Sequence, residues 1–474
     1  MIFTPFFLCI DAGTSRFKGA LITAQGRLLA KSEYLYRNRN SLVHHYSPGE
    51  LENALVHTLQ RFQGKIAGKN LAGIGVTGHG PTLIPVDREG ASLYTGVGYL
   101  DERVKKYIKQ LDKSTSDRIT SSMYTPIALF FKTELPGIYQ KTYRFLQSFD
   151  YISFILTGNF YATSSSSSIK PWDHTQLDNA GLDTDKFPPI YYMGGLLGKT
   201  TVNAEKAYGV RPGVPVYAVG VDFAAALAGT NITSRGKSCE RAGSSGGINL
   251  CWDRHIADRR LLSYQHFIPG LWNTAGITST SGKAMEWAAN LLDIESFKDQ
   301  VIRFKNRPPE VIFFPYLQGE RTPLWNPGAK GAFFGVSKNH TRTDLFYSVI
   351  IGVVMSLRDC MEIIEQNHCS FIHPVITTGG QARNTSLVQL KADITGKTFA
   401  KVQVDDAELL GIAAVIAAAA GFYKDLSSAA ENMVKITRVF NPRGKFFQHY
   451  SEIFYRYKEL QSMLSEYYSN LADP

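Results

Sequence analysis

Four short stretches place acidic or small residues where phosphate and hydroxyl chemistry could occur. Asp11-Ala12-Gly13-Thr14-Ser15 closes an apolar run, with Lys18 just beyond it. A turn of this kind can present backbone N–H groups and hydroxyls to phosphate oxygens. A carboxylate at a strand end also suits Mg²⁺, a hard ion that takes oxygen ligands. Asp222 stands where VPVYAVGV (Val214–Val221) meets FAAALAG. A carboxylate in that position can accept a proton from a substrate hydroxyl. Gly243-Ser244-Ser245-Gly246 is a second small polar turn, and Thr378-Gly379-Gly380-Gln381 lies at another strand-to-helix junction. Both would let backbone approach a nucleotide. Each stretch also has an ordinary structural reading: a solvated β-turn at Asp11, a helix N-cap at Asp222, bare turns at the other two.

Two look-alikes fail on context. GIGVTG (Gly73–Gly78) has the G-x-G-x-x-G spacing of a pyrophosphate cradle, but that fingerprint must open a helix after its last glycine. Here the chain continues extended through His79-Gly80-Pro81 into TLIPVD. GTNITSRGKS (Gly229–Ser238) ends like a phosphate-binding loop, yet its glycines lie further apart than the G-x-x-x-x-G of that motif, so it reads as a turn at Gly236-Lys237. No H-E-x-x-H, G-x-S-x-G or EF-hand loop occurs.

Composition narrows the class. A chain of 474 residues is too long for one core, so two domains are expected. Hydrophobic residues make up 44% and charged residues 19%, which is globular and not disordered. The net charge of +10 has no long basic block behind it, only Lys105-Lys106 with Lys109 nearby, so no nucleic-acid partner is expected. Five widely spaced cysteines without a C-x-x-C argue for a reducing, cytoplasmic setting. The apolar start MIFTPFFLCI meets Asp11 too soon for a signal peptide or membrane span, so no membrane partner is expected either.

The elements that must position these residues follow from periodicity. Phe6–Ile10, FKGALITAQG and RLLAKSEYLY read as strands joined by tight turns, an antiparallel start. Pro48–Ile66 reads as a helix with Leu51, Leu55, Leu59 and Phe62 on one face. LAGIGVTGHG reads as a buried strand, Ile127–Phe160 as helical, Ser164–Ser168 as an exposed loop, and Val214–Val221 as a strand feeding a helix. A second set follows: strands near Ser238–Glu240 and Ile248–Trp252, the strand VIFFPYL, a helix from about Thr343 to Gln366, the strand PVITTGG, a helix from about Ser386, and a tightly packed alanine-rich helix at Gly411–Gly421. At the C-terminus Tyr450, Ile453, Phe454, Tyr457, Leu460 and Leu464 share a helical face that docks within the protein. The turns at DAGTS and AGSSGG (Ala242–Gly247) occupy comparable places in the two sets, which suggests an internal duplication.

In combination the motifs resemble the FGGY carbohydrate kinases, two-domain α/β enzymes with an actin-like (ribonuclease-H-like) ATPase fold and an interdomain catalytic cleft. The resemblance is carried, in order along nearly the whole chain, by IDAGTSRFKGALI, YLDER (Tyr99–Arg103), VGVDFAAALAG, ERTPLWNPGAKGAFFGV (Glu320–Val336), TTGGQARNTSLVQLKADITGK (Thr377–Lys397) and AELLGIAAVIAAAAG. It implies an N-terminal domain over 1–234 for sugar and base, and a C-terminal domain over 235–474 for the nucleotide. It implies ATP and Mg²⁺, with Asp222 as general base beside the sugar, Asp11 organising Mg²⁺, and Thr14, Ser15 and Lys18 near the phosphates. Gly243, Ser244 and Ser245 would meet ATP phosphates; Gly379, Gly380, Gln381 and Asn384 would line the adenosine. His79 and Asp101 would hold sugar hydroxyls, with Arg103 nearby. D-xylulose is the first candidate substrate, then another ketose or polyol; a non-catalytic ATP-binding module is the rival, and a homodimer stays open. The sequence departs from the family pattern at Thr77-Gly78, Tyr99, Phe223 and the serine run, all near the expected sugar pocket. Gly78, where a methionine is usual, reads as a widening of that pocket.

Overall fold

The computed structural model describes residues 4–36, 45–66, 70–98, 101–112, 124–294 and 310–471. The chain forms two compact units, Met1–Asn231 with Ala407–Val434, and Ile232–Asp406 with Lys435–Pro474. The first crossing falls three residues before the expected break at 234. The second differs from the sequence reading, which keeps the alanine-rich helix in the C-terminal domain.

In chain order the first unit contains β1 (Phe6–Ala12), β2 (Arg16–Thr23), β3 (Leu28–Leu35), α1 (Pro48–Ile66), β4 (Leu71–Gly78), α2 (Ser148–Thr157), β5 (Leu196–Lys199), β6 (Pro215–Val221) and α3 (Asp222–Gly229). The second contains β7 (Ser238–Ala242), β8 (Gly246–Trp252), β9 (Leu262–Gln265), β10 (Trp272–Thr278), α4 (Arg342–Gln366), β11 (Val375–Thr378), α5 (Thr385–Thr395) and β12 (Phe399–Val402). Then α6 (Ala407–Ala419) returns to the first unit, and β13 (Ile436–Phe440) and α7 (Gly444–Leu471) complete the second.

The first sheet has the order β5-β6-β4-β1-β2-β3. Its start is antiparallel, as the turns at 13–15 and 25–26 dictate, whereas β4 runs parallel to both β1 and β6. Phe7, Leu8, Cys9 and Ile10 are fully buried, so β1 is covered on both faces. One cover is α1, whose Leu51, Leu55, Leu59 and Phe62 join the core of β1.

Another cover is α6, which packs on β1 and β4. It explains the glycine spacing of GIGVTG. A Cβ on Gly73 would lie 2.6 Å from Ile416, and one on Gly75 would lie 2.6 Å from Ile412. One on Gly78 would lie 2.7 Å from the Ala12 carbonyl and 3.2 Å from Phe149. The three glycines serve close packing of backbone and helix. The space beside Gly78 is filled, which corrects its reading as a widened pocket.

The second sheet has the order β9-β10-β8-β7-β11-β12-β13. β7, β8, β10, β11 and β12 repeat β1, β2, β3, β4 and β6 in sheet place and chain order, while the edge strands β13 and β5 share a place but enter the chain on opposite sides of their neighbours. Antiparallel partners match antiparallel ones, and parallel match parallel. The duplication suggested by pattern is therefore a duplication of topology. The turns at 13–15 and 243–245 are equivalent, each joining the first two strands of its sheet.

The serine run differs from expectation. Ser164 ends a short strand and is buried, as is Ser165; only Ser167 and Ser168 are exposed. Burial is tolerated because the Ser164 hydroxyl donates to the carbonyls of Ser166 and Ile169. The helical stretch Ile127–Phe160 is interrupted by the strand Arg144–Leu146 before α2. The C-terminal face docks as read: Tyr450, Phe454 and Tyr457 are buried, with Ile453, Leu460 and Leu464 packed beside them. All five cysteines are buried. Among the described residues no helix is long and apolar enough to cross a membrane.

The α3–α6 crossing is tight. A Cβ on Gly229 would lie 1.8 Å from the Ala407 carbonyl, and one on Gly411 would lie 1.7 Å from the Ala225 carbonyl. Helix propensity favours alanine over glycine by about 1 kcal/mol. Forcing the helices apart costs about 1–3 kcal/mol or more, so sterics win. Gly411→Ala is expected to lower the urea midpoint of the full chain; a higher midpoint would show that the helices separate freely.

Candidate active site

Strand register assembles the site of the first unit. Asp11 pairs with Thr77, and Ala12 with Gly78, across β1 and β4; Val221 pairs with Gly78 across β6 and β4. Asp11, His79 and Asp222 thus emerge together at the carboxyl end of three adjacent parallel strands, the edge where open α/β sheets place their ligands. Side chain and backbone fix these ends. The Thr77 hydroxyl donates to the Gly220 carbonyl at 2.6 Å, the His79 N–H donates to the Ala12 carbonyl at 3.0 Å, and the Ser148 hydroxyl donates to the His79 carbonyl at 3.0 Å.

The Asp11 turn is a built feature. Asp11 is 4% exposed, and Lys18, its register partner on β2, brings Nζ to 3.6 Å from Oδ2. Gly13 lies under the carboxylate, Thr14 is half-buried and Ser15 is exposed. The turn therefore presents a buried acid, a cation and accessible backbone at one spot.

Asp222 opens α3, but it is not the cap. The N-cap position is Val221, and no side-chain capping bond is made. Among the described residues no hydrogen bond ties the Asp222 carboxylate, which is half-buried and acts on His79 through its charge. The capping alternative is thereby removed. Burial holds the His79 imidazole below its usual value, while the Asp222 charge pulls the other way. His79 is neutral at neutral pH and can both donate and accept.

Asp101 and Arg103 form a fork. Asp101 is 3% exposed; its Oδ1 accepts from the Arg103 N–H at 3.0 Å and from Nε at 2.9 Å, and its Oδ2 accepts from Nη2 at 2.7 Å. The guanidinium also lies 4.6 Å over the Phe130 ring. Both residues sit just after Gly98, which pairs with Thr82, three residues beyond His79. Tyr99 and Leu100, the other half of the expected sugar segment, lie outside the described residues.

Sequence reasoning missed a buried polar group on α2. Gln147 donates through Nε2 to Asp150 at 2.5 Å and accepts from the Tyr124 hydroxyl, which itself lies against Gly80. Thr163 donates to Asp150 through N–H and hydroxyl. Burial still prevails over these bonds and pushes the Asp150 carboxyl up to about 7. The available signal was an acid inside the apolar helix SFDYISFILT.

In the second unit, the turn Gly243–Ser245 is gripped from the N-terminus of the helix Gly282–Leu291. The N–H groups of Ser281, Gly282 and Lys283 donate to the carbonyls of Ser244, Gly243 and Ser244 at 3.0, 3.0 and 3.1 Å. Ser244 and Ser245 remain exposed. Gly379 has φ +89°, and a Cβ there would lie 2.8 Å from the Ala242 carbonyl, so only glycine brings the two turns this close. Gly380 faces open space. Asn384 caps α5 through Oδ1, which accepts from Ser386 and Leu387 at 3.1 Å, and its buried Nδ2 has no protein partner among the described residues. The Gln381 amide points inward, to Gly243 and Ser281. Nearby, Glu320 accepts from the N–H groups of Ser279 and Arg321 at 2.6 and 2.8 Å, clamping the end of β10; burial pushes its carboxyl up to about 7.

Comparisons with known proteins identify the family and the fold. A xylulose kinase from Lactococcus lactis subsp. lactis is 24% identical over 495 residues, covering 99% of each chain. Among solved structures, a gluconate kinase from Lactobacillus acidophilus superposes with a TM-score of 0.86 at 20% identity, over 99% of this chain and 100% of that one. A ligand-bound xylulose kinase from the same organism gives 0.86 at 20% identity, over 98% and 100%. These likenesses establish the fold as the two-domain, actin-like kinase architecture. The defining patterns of the FGGY N-terminal and C-terminal domains match residues 6–229 and 258–420. The chain belongs to the FGGY family of carbohydrate kinases.

Proposed function

We propose that this chain transfers the γ-phosphoryl group of ATP to a hydroxyl of a small ketose or polyol, with Asp222 as the general base. The observation that carries the reading is the untied Asp222 carboxylate beside a neutral His79 at the carboxyl end of β4 and β6. Asp222 takes the proton as the substrate oxygen bonds to the γ-phosphorus, the bond to the bridging oxygen breaks, and ADP leaves. Little other covalent chemistry is needed, because phosphoryl transfer depends on positioning and charge neutralisation. Lys18 and the N–H groups of Gly13–Ser15 meet phosphate oxygens. His79, with the Asp101–Arg103 fork, holds substrate hydroxyls. Ser244, Ser245 and Gly380 offer the second unit's exposed backbone and hydroxyls to the nucleotide, and Asn384 offers Nδ2.

The residues fit Mg²⁺. The ion is commonly held by one or two carboxylates, its remaining positions filled by phosphate oxygens and water. Asp11 supplies one buried carboxylate, and among the described residues no cluster of three or more ligating side chains competes with it. Held by Asp11, Mg²⁺ would supply charge neutralisation at the phosphates. D-xylulose is the first substrate to try, supported by the end-to-end likeness to a xylulose kinase. The equal superposition on a gluconate kinase keeps aldonates in the panel.

The test is an ADP-release screen over pentuloses, hexuloses, aldonates and polyols. At least one should release ADP, and silence across the panel would favour a non-catalytic nucleotide-binding role. With the active substrate, Asp222→Ala should lower turnover roughly 10²–10⁴-fold while leaving ADP affinity unchanged. Full turnover in that variant would remove Asp222 from the base role.

His79 sets a pH signature. Its folded value lies below the 6.5 of the free side chain, so it charges only on the acid side of that pH. The sugar KM should be flat from about pH 8 to about 6.5 and rise below, as the imidazole loses its acceptor. The contribution of His79 itself to stability falls over the same window, because its imidazole in the unfolded chain binds the proton first. His79→Asn should flatten the KM profile; an unchanged acid limb would assign it to another group.

A further inference from the structure

We propose that the buried Glu240–Lys391 ion pair positions the nucleotide-facing turns of the second unit, acting through Gln381; this rests on the nucleotide reading of those turns. Glu240 is on β7, two residues before Ala242, and Lys391 is on α5. Their side chains are 4% and 1% exposed, and Lys391 Nζ lies 2.5 Å from Glu240 Oε1. The second carboxylate oxygen, Oε2, accepts from the Thr377 hydroxyl on β11 at 2.8 Å. Lys391 Nζ also donates to Gln381 Oε1 at 3.1 Å. Gln381 Nε2 then donates to the Gly243 carbonyl at 3.1 Å and the Ser281 hydroxyl at 2.8 Å.

The chemistry of these groups allows one arrangement only. An ammonium donates and never accepts, and a backbone carbonyl accepts and never donates. Lys391 therefore dictates which end of the Gln381 amide faces it, and the other end must donate toward Gly243. The amide becomes a strut between the segment Gly379–Asn384 and the turn Gly243–Ser245. The gap it spans has no slack: a Cβ on Gly379 would lie 2.8 Å from the Ala242 carbonyl, and one on Gly282 would lie 2.6 Å from the Gly243 carbonyl.

Stability alone does not account for the pair. Replacing a buried ion pair by apolar residues of similar volume is often neutral or stabilising, because desolvation offsets the Coulombic gain. What an apolar pair cannot do is orient an amide. Lys391 and Glu240 are accordingly positioning residues that touch no substrate.

The test uses the full chain and ADP as probe, with calorimetric titration and thermal unfolding run in parallel. Gln381→Leu removes the strut and leaves the ion pair. Glu240→Leu with Lys391→Met removes the pair without leaving a lone buried charge. Each should raise the ADP Kd roughly tenfold, the scale of a lost pair of hydrogen bonds, with melting within a few degrees of the parent. Combining all three substitutions should weaken ADP binding no further than Gln381→Leu alone, because the residues act in series. An unchanged Kd in Gln381→Leu, or a further loss when the pair is removed on top of it, would overturn the proposal. If the parent chain binds no ADP, the nucleotide reading falls and this inference with it. If the parent binds and Gln381→Leu binds equally, only the inference falls.

Discussion

Three parallel strands ending level are what the first unit's chemistry depends on. β1, β4 and β6 keep one register, Asp11 opposite Thr77 and Val221 opposite Gly78, so an acid, an imidazole and a second acid arrive at one edge from positions more than two hundred residues apart. Side chains alternate faces along a strand, so slipping β6 by one residue would turn Val221 where Asp222 now points. The register is held from outside the strands. Glycines at 73 and 75 admit the ridge of α6, and the Ala12 carbonyl occupies the space a side chain would need at 78. Reactive geometry at the edge is a by-product of dense packing several residues below it.

The second unit repeats the strand plan with a different filling. Where β1 carries Asp11 opposite Lys18 one residue before its end, β7 carries Arg241 opposite Gly247 and then a turn of glycine and serine. The charged pair lies instead beneath the turn, as Glu240 and Lys391. One topology thus yields a turn that offers a carboxylate and a turn that offers only backbone and hydroxyls. That division of labour suits a reaction in which one side handles metal and proton and the other holds a nucleotide.

Much of this was readable in the residues, and the exceptions share a cause. The antiparallel start, α1 and the Asp222 junction follow from local periodicity and local turn chemistry. The rejection of GIGVTG as a pyrophosphate cradle also follows, because its missing helix is a local fact. The reason for its glycines does not, since Ile412 and Ile416 lie more than three hundred residues away. The return of α6 to the first unit was hidden because the helix is apolar on every side and names no partner. Ser164 looked exposed because composition records a hydroxyl without recording the carbonyl that receives it. The Asp150 group and the Glu240–Lys391–Gln381 chain escaped for the same reason. Polar burial is decided by partners, and in the last two groups they join separate elements.

The crossing of the chain back into its first unit shapes how the protein is born. A ribosome completes Met1–Asn231 and must then synthesise all of Ile232–Asp406 before the helix that covers β1 and β4 exists. At about 5–20 residues per second, the nascent first unit presents the Gly73–Gly75 groove uncovered for on the order of ten seconds or more. During that interval the strands carry an apolar face without its lid, a natural foothold for a chaperone.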